Sequence, residues 1–203
     1  MGVSARELWE LYPKSGKSFL RLHNSGEAVR MFAAALQVAE GFGPKDPRLG
    51  VSLNNLAHVY QVMRCYGDAE TLIRRALEIA AQEHGPDHPD AAVCLANLAG
   101  LYQAWQRYVE AEPLYRKAVE ILGKTLGEEH ASMATLLENY ASNLRKLAHD
   151  AEAAKAEEWA RAIRERRAPP APGALAGSPL EQLAREVQAI KAEPPAAVQN
   201  SEG

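Results

Sequence analysis

The chain has 203 residues, 47% of them apolar, and a formal charge of −3 at neutral pH. That is enough apolar content for a real core and too little positive charge for broad binding to nucleic acid or anionic lipid. No apolar run approaches the roughly 18 residues of a membrane span, the first residues lack a cationic stretch leading into an apolar signal core, and Cys65 and Cys94 are too few for a disulfide framework; the expected location is the cytoplasm.

Residues 1–11 read as an N-terminal segment. Pro13 would cost about 3 kcal/mol inside a helix, so the first helix is expected to start around Tyr12 and to open a divergent repeat over 12–46. Shifted by 41 positions, Gly16, Phe19, Ala28, Phe32 and Ala35 fall on Ala57, Tyr60, Ala69, Ile73 and Ala76. Lys14-Ser-Gly-Lys-Ser18 resembles the end of a phosphate-binding loop. That motif needs a glycine where Leu11 stands and a buried strand before it; Gly16 is better read as a small packing residue.

Residues 47–88 and 89–130 are copies at a period of 42: Leu56-Ala57-x-x-Tyr60 returns as Leu98-Ala99-x-x-Tyr102, and Ala69, Ala76, Gly85 and His88 return as Ala111, Ala118, Gly127 and His130. Self-similarity at such a period means stacked supersecondary units that share one core. Each copy divides into two helical stretches. In the second copy Val93, Leu95, Leu98, Ala99, Leu101 and Tyr102 recur at helical spacing, as do Ala111, Leu114, Tyr115, Ala118, Ile121 and Leu122. Alanines at fixed positions suit two helices packed closely together. Gly43-Pro-Lys-Asp-Pro47 and Gly85-Pro-Asp-His-Pro89 each end one helix with glycine and start the next with proline. His84 and His88, near Asp87 and Asp90, have a spacing seen in metal sites, but Gly85-Pro86 breaks the helix between them and no third ligand is evident. They are expected to cap helices and shape the loop, with no metal.

The third copy, 131–167, keeps Tyr140-Ala141, Leu144, Ala153 and Ala160 but has Asp150 and Glu157 where Tyr108 and Tyr115 stood; it reads as a terminal repeat with a wetted outer face. A Pro/Ala linker follows at 168–177. Ser178-Pro-Leu-Glu181 then offers a capping box ahead of Leu183, Val187 and Ile190, a short amphipathic helix over 178–192 before a disordered tail at 193–203. That helix is expected to cap the last repeat or to stay marginal; the alternative is that it lies in the groove of its own or a neighbouring molecule and regulates access, and homo-oligomers through it are possible.

Ser52-Leu-Asn-Asn-Leu-Ala-His-Val-Tyr60, Asp68-Ala-Glu70, Arg75-Ala-Leu-Glu-Ile79 and Gly85-Pro-Asp-His-Pro-Asp90 resemble the tetratricopeptide repeats, in the 42-residue form of kinesin light chains. The resemblance covers roughly residues 12–167 and implies an all-α, right-handed superhelix of about four antiparallel helix pairs, with the first helix of each pair lining an inner groove. It further implies that Asn55, Asn97 and Asn139 face that groove, where amides can pair with the backbone of an extended peptide. His58, Gln61 and Gln103 would be polar neighbours, and Lys14, Lys17, Arg21, Arg145 and Lys146 would make the groove basic at its ends, suiting an acidic peptide or a C-terminal carboxylate. No serine sits in a Gly-x-Ser-x-Gly elbow and no histidine can be placed beside either cysteine. The expected function is therefore a non-catalytic adaptor with no cofactor, the alternative being a self-assembling structural protein.

Overall fold

The computed structural model describes residues 3–165, and the expected linker, 178–192 helix and tail lie outside them. The described residues form eight α-helices and no strand: α1 (Ala5–Arg21), α2 (Ser25–Glu40), α3 (Pro47–Val62), α4 (Tyr66–His84), α5 (Pro89–Ala104), α6 (Tyr108–Leu126), α7 (Ala131–Lys146) and α8 (Asp150–Arg164). Each odd-numbered helix packs on the even one after it, and each even helix packs on the next odd one. The result is an all-α repeat superhelix of four helical hairpins.

Helix starts follow the loop chemistry. Pro47 and Pro89 stand at the first helical position, behind N-caps Asp46 and His88. His88 Nδ1 accepts from Asp90 N at 3.2 Å and His130 Nδ1 from Ser132 N at 3.3 Å, so both repeating histidines serve as caps. Asp46 accepts from Arg48 N and is forked by the Arg48 guanidinium at 2.7 and 2.6 Å; the hydrogen bond from that guanidinium holds its carboxyl down at about 2.

Helix α1 starts at Ala5, not near Tyr12, and carries Pro13 inside it. Two contacts offset the proline. Ser4 and Glu7 close a capping box at the N-terminus, and the Trp9 indole N–H donates to Ser52 Oγ of α3 at 2.8 Å. These tie the turns before Pro13 to the helix start and to the next repeat, so the local penalty does not decide where the helix begins.

The four turns within the hairpins share one geometry. His23, Arg64, Gln106 and Ala148 all have positive φ, between 55° and 63°, and the next residue donates back across the helix end, as from Cys65 N to Tyr60 O at 2.9 Å and from Arg107 N to Tyr102 O at 2.8 Å. This is the Schellman closure.

Between the helices the repeated alanines vanish from the surface: Ala57, Ala69, Ala76, Ala99, Ala111, Ala118, Ala153 and Ala160 are at most 1% exposed. One core cluster joins the first two hairpins through Phe32, Leu36, Leu49 and Leu53, and a larger one runs from Ala69 and Ile73 through Tyr115 and Tyr140 to Trp159. Val93, read from its spacing as part of the core stripe, is instead 48% exposed; it borders a cleft beside Cys94 and Asn54.

Candidate functional site

Helix α3 touches α5 and α5 touches α7, whereas no comparable contact joins α4 to α6 or α6 to α8 among the described residues. The first helices of the last three hairpins therefore crowd together on the inner radius, and their second helices spread on the outer one. Periodicity supplies the faces of a helix; this difference in packing says which face is concave.

At the repeat period the positions expected to face inward form columns: Lys14, Asn55, Asn97 and Asn139 in one, Leu20, Gln61, Gln103 and Arg145 in another. Gln61, Gln103, Asn139 and Lys146 come together in one groove of about 410 Å3, lined also by Gly100 of α5 and by Tyr108 and Tyr115 of α6. Two hydrogen bonds hold its lining in place. Tyr115 Oη donates to Gln103 Oε1 at 2.9 Å, and Gln103 Nε2 donates to Ser142 Oγ at 3.1 Å, so Gln103 bridges α6 and α7 and is fixed in orientation. Burial of the Tyr115 phenol pushes its pKa to about 12, which keeps it a hydrogen-bond donor at neutral pH.

The asparagines do not form a ladder with one another. Asn97 Nδ2 donates to Asn54 Oδ1 at 3.0 Å, and Asn54 in turn contacts Gly50 O and Cys94 Sγ. Asn55 is half-buried, while Asn97 and Asn139 are exposed, as is His58. Near the Asn54–Asn97 pair lies a smaller cleft of about 170 Å3, with Ala76, Ile79 and Ala80 of α4 as its apolar wall.

The charged candidates divide in two. Arg145 forks onto Glu157 of α8 at 2.9 and 2.7 Å, and the inner-face carboxylate of Glu138 is forked by Arg164 at 2.6 and 2.7 Å; the Arg164 hydrogen bond holds Glu138 below its ordinary range. Lys14, Lys17, Arg21 and Lys146 are all exposed and make no ion pair among the described residues. The three on α1 lie on one face of that helix, opposite Gly16, whose position against the Phe32 ring seats α1 on α2. The segment Lys14–Ser18 is helical throughout, so it forms no loop around a phosphate. Among the described residues no group of three or more His, Cys, Asp or Glu side chains could hold a metal ion, and no helix is long and apolar enough to cross a membrane.

The tetratricopeptide repeat family profile matches residues 48–124 and 106–166, more than half of the chain. The chain belongs to the tetratricopeptide repeat family. Among solved structures, a kinesin light chain of Podosopora anserina with nearly identical TPR-like repeats is 24% identical at a TM-score of 0.61, over 80% of this chain and 75% of that one; a single-substitution variant of it aligns at a TM-score of 0.63 and 23% identity, with the same coverage. BtubC (BKLC) from P. vanneervenii is 17% identical at a TM-score of 0.60, over 100% of this chain and 72% of that one. These likenesses are of fold. No curated protein sequence matches.

Within the tetratricopeptide frame, the residues the columns passed over are those without a repeat equivalent of their own kind. Asn54 stands where the next copies have Ala96 and Glu138, and Ser142 where they have His58 and Gly100. The tandem amides Asn54-Asn55 were the available signal for the first. Nothing in the sequence marks Ser142.

Proposed function

We propose that this tetratricopeptide array is a non-catalytic adaptor that binds an extended peptide or protein segment along its inner face. The observation that carries the reading is the convergence of Gln61, Gln103, Asn139 and Lys146, from three successive inner helices, on one open groove. Amide side chains there offer donors and acceptors to a peptide backbone without demanding one side chain, and the fixed Gln103 lowers the ordering cost of doing so.

The balance of free charge favours an acidic segment. Both arginine–carboxylate forks on the last hairpin are satisfied internally, whereas Lys146, in the groove itself, keeps its charge for a ligand. Exposed contacts of this kind are screened by salt, so binding should weaken as ionic strength rises.

The test is affinity capture from the native lysate, comparing the wild type with a Gln61→Ala, Asn139→Ala, Lys146→Ala variant whose helicity and melting are unchanged. Gln103 is left in place because it bridges helices. Loss of particular proteins from this variant, while a variant altered only on the convex surface retains them, supports the groove; an unchanged set of captured proteins would refute it.

A further inference from the structure

Helix α1 has a second face that the array leaves open. The face through which each later repeat meets its predecessor is buried: Leu49, Ser52 and Leu56 of α3 are at most 5% exposed, and so are their equivalents in α5 and α7. Leu49 and Leu56 join Phe32 and Leu36 of α2 in one cluster. The equivalents in α1 are Leu8, Leu11 and Ser15. Leu11 is 52% exposed and Leu22, near the end of the same face, 74%; no element among the described residues covers them. On α2, half-buried Met31 occupies the position of Leu72, which in α4 packs against the cluster that joins the first two hairpins.

Along this face Ser4, Leu8, Leu11, Ser15, Ser18 and Leu22 follow at alternating spacings of four and three, with no charged residue among them. That alternation is the seam of two packed helices. We propose that the seam pairs with the same seam of a second copy of this chain, antiparallel about a two-fold axis near residue 13.

Three features fit that occupant. In the antiparallel register Leu8 lies opposite Ser18 of the second copy, Leu11 opposite Ser15 and Leu22 opposite Ser4, so every leucine meets a small residue, as close packing between facing positions requires. The Ser18 hydroxyl already donates to Lys14 O at 3.2 Å, and its burial strands no donor. The flank of the seam is acidic at Glu7 and Glu10 and basic at Lys17 and Arg21; antiparallel pairing sets Glu10 beside Lys17 and Glu7 beside Arg21, whereas parallel pairing sets this flank against the uncharged one of Tyr12 and Phe19. Lys14 meets its own counterpart across the axis, the one unfavourable charge contact.

The far end of the array argues against head-to-tail stacking. There the Glu138–Arg164 fork, with Thr135 at 3.5 Å from Arg164, occupies positions that internal repeats fill with Asn54 or Ala96 and with Ala80 or Leu122. Stacking an apolar face on it would desolvate both charges. A self-complementary pairing of α1 on α1 closes as a dimer and leaves that end wet.

Sedimentation equilibrium of the full chain, from micromolar to submillimolar concentration, tests this. The expected mass is twice 22.1 kDa. Leu11→Glu, at an exposed position, should return the mass to that of the monomer with helicity unchanged. Glu10→Lys and Lys17→Glu should each weaken the dimer at low salt, and the two together in one chain should restore it. A monomer at the highest concentration, a dimer that survives Leu11→Glu, or a charge swap that fails to restore pairing would overturn the proposal.

Discussion

A methyl group on Gly16 would come within 2.6 Å of the Phe32 ring, a separation at which either the ring or the helix must move. Phe32 cannot move freely, since it is 3% exposed and packed in the cluster that joins the first two hairpins. A helix-interior glycine costs about 1 kcal/mol relative to alanine, so the residue is retained against local propensity by the closeness of α1 and α2. Its two roles in the sequence, end of a phosphate motif or packing residue, are separated by this contact. Gly16→Val should destabilise the chain by about 2 kcal/mol through overpacking, read as a lower urea midpoint at unchanged slope. A neutral result would mean that α1 sits further from α2 than the geometry here requires.

At the scale of the element, hairpin turns and inter-hairpin loops solve the same problem with different residues. Loops between hairpins place glycine where the backbone needs it: Gly85 has φ 94° and ψ 159°, Gly127 φ 90° and ψ 155°, in a region essentially closed to other residues. Turns within hairpins place His23, Arg64, Gln106 and Ala148 in the left-handed region, where a Cβ costs roughly 1–2 kcal/mol. Ala148→Gly should therefore stabilise by about 0.5 kcal/mol, the relief of strain being partly cancelled by the added freedom of the unfolded chain. Gly85→Ala should destabilise by about 1–3 kcal/mol. Opposite shifts in melting temperature from the two changes would check both. The contrast also explains what could be read in the sequence. Gly-Pro loops and proline helix starts are chemical signals that stand in the chain itself, whereas a left-handed alanine carries none. The extent of α1 was hidden for a related reason: Pro13 is a strong local signal, but Ser4 with Glu7 and Trp9 with Ser52 outweigh it, and the second pair spans two repeats. Gln103 was legible as an inner-face residue, but its bridge to Ser142 and Tyr115 depends on side chains meeting across α5, α6 and α7.

For the whole molecule, stability spreads along the array as a chain of neighbour contacts, and the last hairpin depends most on charge. Its two helices are joined by the Arg145–Glu157 and Arg164–Glu138 forks, and among the described residues no further helix packs on α8. Hydrogen bonds from the arginines lower both carboxyls below 4.5, the ordinary value for glutamate. The sign follows directly: a carboxyl that ionises more readily in the folded chain adds stability that is present above 4.5 and is lost as the pH falls through its lower folded value. Asp46, held at about 2 against an ordinary 3.8, adds a later loss at the start of α3, between those values. Both forks are exposed enough for water to screen them, so the global melting temperature should decline only gradually below pH 4.5. The local effect should be sharper. Amide exchange, corrected for its intrinsic pH dependence, should show α8 losing protection below pH 4.5 while α4 and α6, flanked on both sides by packed helices, retain theirs. Arg164→Gln should bring that loss of protection in α8 up to neutral pH and flatten its acid dependence. Uniform loss of protection along all eight helices would instead mean that the array unfolds as one cooperative unit in acid, with its last hairpin no weaker than its centre.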